Sequence, residues 1–189
     1  AAEGWVWEHF HADWSVDWDY NRHDRSNIFR PWGYQIGHQT EWAKLLLQLG
    51  ALQPADWHLP CAQRLFDAAV ERGWDAEHGG LYYGMAPDGS ICDDGKYHWV
   101  QAESLAAAAV LAVRTGDERY WQWYDRIWTH CWAHFVDHEH GAWFRILHRN
   151  NRNNRNNRNT TREKSNAGKV DYHNMGACYD VLAVVAAGT

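Results

Sequence analysis

Positive charge, cysteine, proline and long apolar runs are all in short supply in this 189-residue chain. Eighteen Lys and Arg face 24 Asp and Glu, a formal charge of -6, which argues against a nucleic-acid-binding body because phosphate contacts need a basic surface. The longest apolar run, Leu105 to Val113, falls far below the roughly 20 residues of a membrane-spanning helix, so no membrane is expected as a partner. The four cysteines (Cys61, Cys92, Cys131, Cys178) lie far apart with no C-x-x-C pair. They read as reduced, cytosolic-type thiols rather than a disulfide framework. Neither end has the pattern of a signal peptide, and the absent initiating Met points to a processed, trimmed or partial chain. There is also no G-x-G-x-x-G after a strand and no G-K-[ST] loop, so no nucleotide cofactor is expected.

What is present is 46% apolar and 22% charged, the profile of a globular chain long enough for one domain with a sizeable core. Fourteen Trp and thirteen His exceed what packing requires, and each buried indole needs a partner for its N–H. Flat aromatic faces beside convergent polar groups suit a pyranose, which has apolar C–H faces and a polar edge. Composition therefore points to carbohydrate, with a Trp-filled helical core as the plain alternative. Charge is unevenly spread: residues 149–164 hold six Lys or Arg and one acid, leaving twelve basic against twenty-three acidic residues elsewhere. Within that stretch Arg149 to Asn159 reads RNNRNNRNNRN, with nothing apolar to bury, and 149–164 is expected to be a flexible Arg/Asn-rich loop. No aromatic is interleaved with its arginines, which weakens an RNA-binding reading.

Hydrophobic periodicity predicts helices alternating with short hairpins. The stretch 33–50 carries Trp42, Leu45, Leu46, Leu47 and Leu49 and stops at Gly50. Asp56 is placed to cap a second helix through about Arg72, with Leu59, Leu65, Phe66, Ala69 and Val70 on one stripe. Residues 79–84 and 88–91 read as a hairpin with its turn between Ala86 and Gly89. An Ala-rich helix follows from Trp99 to Thr115, and Asp117 caps another to about Phe135. His140-Gly-Ala-Trp-Phe144 then repeats His78-Gly-Gly-Leu-Tyr82 at an offset of 62, and a last helix spans about Tyr172 to Ala187. Three apolar helices (near 38, 99 and 172) alternate with two amphipathic ones (near 56 and 117). This is the pattern of inner and outer helices in an all-α toroid whose site lies at the inner N-termini.

Those three N-termini carry ring-bearing and polar residues: His38, His98-Trp99 with Gln101 and Glu103, and His173. His38 and Glu41 are three apart in a first helical turn, so they share a face and can share a hydrogen bond. The positive helix end disfavours imidazolium, leaving a neutral base near pH 7. Two histidines across one mouth form a general acid/base pair. A capping role for each His is the bland alternative. Zinc on His38, Glu41 and His173, or on His138 and His140, is another, but no H-E-x-x-H or Cys/His spacing supports it.

Three segments, Arg30-Pro-Trp-Gly-Tyr-Gln-Ile-Gly-His-Gln-Thr-Glu-Trp42, Lys96-Tyr-His-Trp-Val-Gln-Ala-Glu103 and Lys169-Val-Asp-Tyr-His-Asn-Met-Gly176, resemble successive motifs of the N-acylglucosamine 2-epimerase superfamily. Within it they are most similar to the D-mannose and sulfoquinovose isomerase branch. The resemblance covers nearly the whole chain, apart from the Arg/Asn repeat. It implies an (α/α)6 barrel and a cofactor-free aldose–ketose isomerase working through a cis-enediol. It also implies roles: His173 moves the proton between C1 and C2, His38 assists ring opening and proton transfer among the sugar oxygens, and Glu41 supports His38. Arg30 would hold sugar hydroxyls, with Trp99, Gln101 and Glu103 lining the mouth, and no metal is implied. An N-acylglucosamine- or cellobiose-type 2-epimerase and a non-catalytic sugar-binding half-barrel remain the alternatives. Such a barrel has twelve helices and this chain supplies about five. Residues 1–189 are therefore expected to be the C-terminal portion of one barrel domain, needing the N-terminal half or a complementary chain.

Overall fold

A computed structural model describes residues 4–24, 27, 29–152, 163–164 and 172–188. Five helices carry it: α1 (Ile36–Leu52), α2 (His58–Gly73), α3 (His98–Thr115), α4 (Glu118–His134) and α5 (Tyr172–Gly188). Two small antiparallel sheets sit before the inner helices. In one, β1 (Tyr34–Gln35), β2 (Gly84–Met85) and β3 (Ile91–Asp93) pair in that order; in the other, β4 (Lys96–Tyr97) pairs with β5 (Ile146–Leu147).

The helices form two layers of an α/α toroid segment. α3 is buried almost all the way round, from His98 through Ala112, and packs against α1, α4 and α5. Its run of alanines lets neighbouring backbones approach closely on every side. α2 and α4 present one apolar stripe each and cover α1 and α3 from outside. Between the layers lies one continuous core, in which Phe66 packs edge-on against Tyr120 and Ile36, Leu111, Ile127 and Phe135 are fully buried. No helix among the described residues is long and apolar enough to cross a membrane.

Helix ends follow the expected chemistry with two exceptions. Gly116 closes α3 in the left-handed conformation (φ 69°), and the Asp117 side chain accepts from the Arg119 N–H to cap α4. α1, however, continues past Gly50 to Leu52, since Gly50 keeps helical rather than left-handed backbone; a Cβ on it would stand 3.3 Å from the His58 ring. α2 starts at His58 after Trp57, not from an Asp56 cap.

The 62-residue repeat is visible in the backbone. Trp74 bridges Leu81, and Val136 bridges Trp143. Asp75 Oδ1 accepts from the N–H groups of Glu77 and His78, and Asp137 Oδ1 does the same for Glu139 and His140. Each Asp then pairs with a lysine: Lys96 at 3.1 Å and Lys164 at 2.7 Å. Of the Arg/Asn stretch expected to be flexible, residues 153–162 lie outside the described residues. Its two ends are tied down: Lys96 Nζ donates to the Arg149 carbonyl (2.6 Å) and Asn151 Oδ1 (2.9 Å), and Lys164 Nζ donates to the Gly141 carbonyl (2.5 Å). None of the four cysteines forms a disulfide among the described residues.

Candidate active site

The inner helices α1, α3 and α5 lie side by side, so the residues opening them meet. His38 is the third residue of α1, Trp99 the second of α3 and His173 the second of α5. The Trp99 indole lies between the two imidazoles, with ring centroids 5.0 Å from His38 and 5.4 Å from His173. Gly37 makes this possible: a Cβ there would overlap the Trp99 ring and stand 2.9 Å from Val100, so only glycine admits the indole.

Each imidazole is held by a carboxylate on Nδ1. His38 Nδ1 donates to Glu8 Oε2 (2.9 Å), and His173 Nδ1 donates to Glu103 Oε1 (2.7 Å). A carboxylate only accepts, so Nδ1 carries the hydrogen in both rings, and it is Nε2 that bears the lone pair whenever the ring is neutral. Glu41, expected to orient His38, is not its Nδ1 partner; Glu8, from a segment 30 residues upstream, is. The side chain of Glu41 instead comes within 4.8 Å of Glu103 and His173. Burial, with Glu103 adding repulsion, raises the Glu41 carboxyl above its ordinary value.

Glu103 is 1% exposed and behaves differently. Burial would raise its carboxyl, but the His173 hydrogen bond and the charge of Lys44 outweigh that and hold it below the ordinary range. Lys44 Nζ lies 2.6 Å from Glu103 Oε2 and 3.2 Å from Asp180 Oδ2. Gln48 Nε2 also donates to Asp180 (3.0 Å). Burial lowers the Lys44 ammonium, but these two carboxylates overcome it and raise it instead.

Two further expected residues stand elsewhere. Gln101 does not line the mouth: it is fully buried, and its amide accepts from the Leu81 N–H (2.9 Å) and donates to the Leu81 carbonyl (2.8 Å). Gln39 clips Val6 in the same way, 62 residues earlier, so this amide is part of the repeat's construction. Arg30 is exposed, with its guanidinium donating to the Tyr20 hydroxyl (3.3 Å), and it makes no contact with either histidine. As for a metal, Glu41, Glu103 and His173 are close enough for one ion, but both Glu103 oxygens are already engaged. A cation there would have to displace the Lys44 ammonium. His138 and His140 form no ligand cluster among the described residues: His138 Nε2 donates to the Trp132 carbonyl and His140 lies beside Glu139.

Glu8 and Lys44 escaped sequence reasoning for different reasons. No spacing connects Glu8 to His38. Lys44 did carry a signal, being a lone cation within the apolar run of α1, six residues beyond His38.

The fold and the site together are those of an α/α toroid segment with two carboxylate-held histidines at its inner N-termini. Residues 1–177 match the family model described as N-acylglucosamine 2-epimerase (GlcNAc 2-epimerase), and the chain belongs to that family. A D-mannose isomerase from Marinomonas mediterranea is 56% identical over 177 residues, 94% of this chain and 43% of that protein. One from Thermobifida fusca is 45% identical over 143 residues, 74% and 35% of the two chains. A crystal structure of D-mannose isomerase superimposes with a TM-score of 0.87 at 54% identity, covering 95% of this chain and 44% of that one. The chain thus spans less than half the length of these relatives, and its fold is the corresponding part of theirs.

Proposed function

We propose that this chain carries the catalytic histidines of an aldose–ketose isomerase interconverting D-mannose, or a related aldose, and D-fructose through a cis-enediol. The observation that carries the reading is the pair of imidazoles flanking Trp99, each fixed by a carboxylate with Nε2 left basic. The hydrogen alpha to a sugar carbonyl is weakly acidic, so a base must be held at C2 and donors at the carbonyl oxygen. His173 Nε2 takes the C2 proton, electrons shift toward O1 to give the enediol, and the same nitrogen returns the proton to C1 as the carbonyl forms at C2. His38 carries protons to and from the ring and hydroxyl oxygens, with Glu41, three residues along α1 and with its carboxyl raised by burial, in support. Trp99 offers its face to the sugar, and Arg30, exposed and donating to the Tyr20 hydroxyl, is the group that would hold sugar hydroxyls.

A second reading has one observation in its favour. Histidines on either side of one indole could serve opposite faces of C2, which is what a 2-epimerase requires. Incubation with D-mannose in deuterated buffer, followed by NMR, separates the two. Ketose with deuterium at C1 is expected; an epimer labelled at C2 without ketose would make it an epimerase. Sugar binding that survives loss of both histidines, with no exchange in the parent chain, would leave a sugar-binding segment.

The reading includes a partner: the N-terminal half of the barrel, or a complementary chain that supplies it. Its support is the exposed apolar edge at each end of the inner row, Trp42, Leu45, Leu49 and Leu52 on α1 and Tyr172, Met175, Tyr179, Leu182 and Val185 on α5. Four cysteines with no disulfide between them support the cytoplasm as its compartment.

A further inference from the structure

The two histidines share one geometry but not one environment. Behind His38 stands Glu8, with no lysine within ion-pair distance of it among the described residues. Behind His173 stands a connected chain of buried charges running from α3 to α1 to α5: Glu103, Lys44, Asp180, with Gln48 closing it. Lys44 is 7% and Glu103 1% exposed, so neither charge is shared with bulk water. Three carboxyl groups, Glu41, Glu103 and Asp180, surround this position, and among the described residues Lys44 is the one ammonium that reaches two of them.

We propose that Lys44 is a positioning residue that, by keeping Glu103 ionised, locks His173 with its hydrogen on Nδ1 and so leaves the Nε2 lone pair as the basic atom of the ring. The argument runs through what each group can donate. An ionised Glu103 can only accept, which forces the hydrogen onto Nδ1. Without the Lys44 ammonium, a buried carboxylate beside two other carboxyl groups is uncompensated and must be neutralised. Two routes are open. Glu103 takes a proton and donates it to Nδ1, moving the ring hydrogen to Nε2, or His173 becomes imidazolium, which also carries a hydrogen on Nε2. By either route the lone pair that would take a carbon-bound proton is gone. That Nε2 is the base in sugar isomerisation rests on the function proposed above; that Lys44 sets its protonation does not.

The test is nitrogen-15 NMR of the histidine side chains in the chain as it stands, at about pH 8, above the ordinary imidazole range. The parent chain is expected to show a pyridine-type Nε2 for His173. Lys44→Met is expected to replace it with a protonated Nε2, Lys44→Arg to restore the pyridine-type signal, and Nε2 of His38 to stay unchanged throughout. If Lys44→Met does not fold, Lys44→Met/Asp180→Asn removes both members of the ion pair, preserves net charge and carries the same expectation. A protonated Nε2 on His173 of the parent, or a pyridine-type Nε2 persisting in a folded Lys44→Met chain, overturns the proposal. Failure of D-mannose turnover in the barrel completed by its N-terminal half, alongside the expected NMR result, would reject the isomerase reading while leaving the role of Lys44 standing.

Discussion

At the scale of single residues, the site works by pairing each imidazole with an acceptor that leaves one nitrogen available. Replacing His173 or His38 with Ala in the active protein should lower kcat by about 100-fold or more, the usual contribution of a general acid or base, with little change in KM. Steady-state kinetics on D-mannose checks this, and near-normal rates in both variants would remove the two-histidine mechanism. The buried pair Asp75–Lys96 gives a prediction about acid stability. Burial alone would raise the Asp75 carboxyl, but the Lys96 ammonium and two backbone N–H groups bring it down to about 2. A carboxyl depressed on folding contributes stability above its unfolded value near ~4, and loses it as pH falls through its folded value. Roughly 2 kcal/mol should therefore disappear between about pH 4 and pH 2. Asp75→Asn should flatten that part of the stability profile in chemical denaturation.

At the scale of elements, the repeat is held by a small set of side chains used twice. Gln39 and Gln101 each clip the backbone N–H and C=O of one residue in the preceding loop. Gln101→Leu would leave both Leu81 groups buried and unpaired and should cost about 2 kcal/mol or more, measured as a fall in the denaturation midpoint. Gly37 belongs to the same scale, since it governs how closely α1 approaches α3. A methyl group there must move Trp99, which is itself wedged between two histidines. Gly37→Ala should accordingly reduce kcat more than its effect on thermal stability would account for, and a matching loss in both would mean that only packing had been disturbed.

At the scale of the molecule, the inner row α1–α3–α5 ends on two unsatisfied edges. α3 has neighbours on every side and is sealed, whereas α1 and α5 each have one flank open to water. Exposed leucines and aromatics along both flanks resemble a domain core cut through, which accords with a chain spanning less than half of its relatives. The isolated chain should therefore associate in a concentration-dependent way in sedimentation velocity. Leu49→Asp combined with Leu182→Asp should return it to a monomer without changing its helix content. A monomer at all concentrations in the parent would mean that these flanks need no cover.

Much of this was legible in the sequence, because local rules decide it. The apolar stripes of α2 and α4, the left-handed stop at Gly116, the Asp117 cap and the recurrence at 62 residues all follow from neighbours along the chain. His38, Trp99 and His173 could be grouped for the same reason, since each opens a helix of one repeating type. Tertiary structure alone decided what stands behind them. Glu8 reaches His38 across 30 residues, Glu103 reaches His173 across 70, and Lys44 becomes a partner of Glu103 and Asp180 because α1, α3 and α5 pack side by side. Periodicity reports which face of a helix is buried, and it is silent on which helix covers that face. The charge, tautomer and partner of a buried group depend on the second of these.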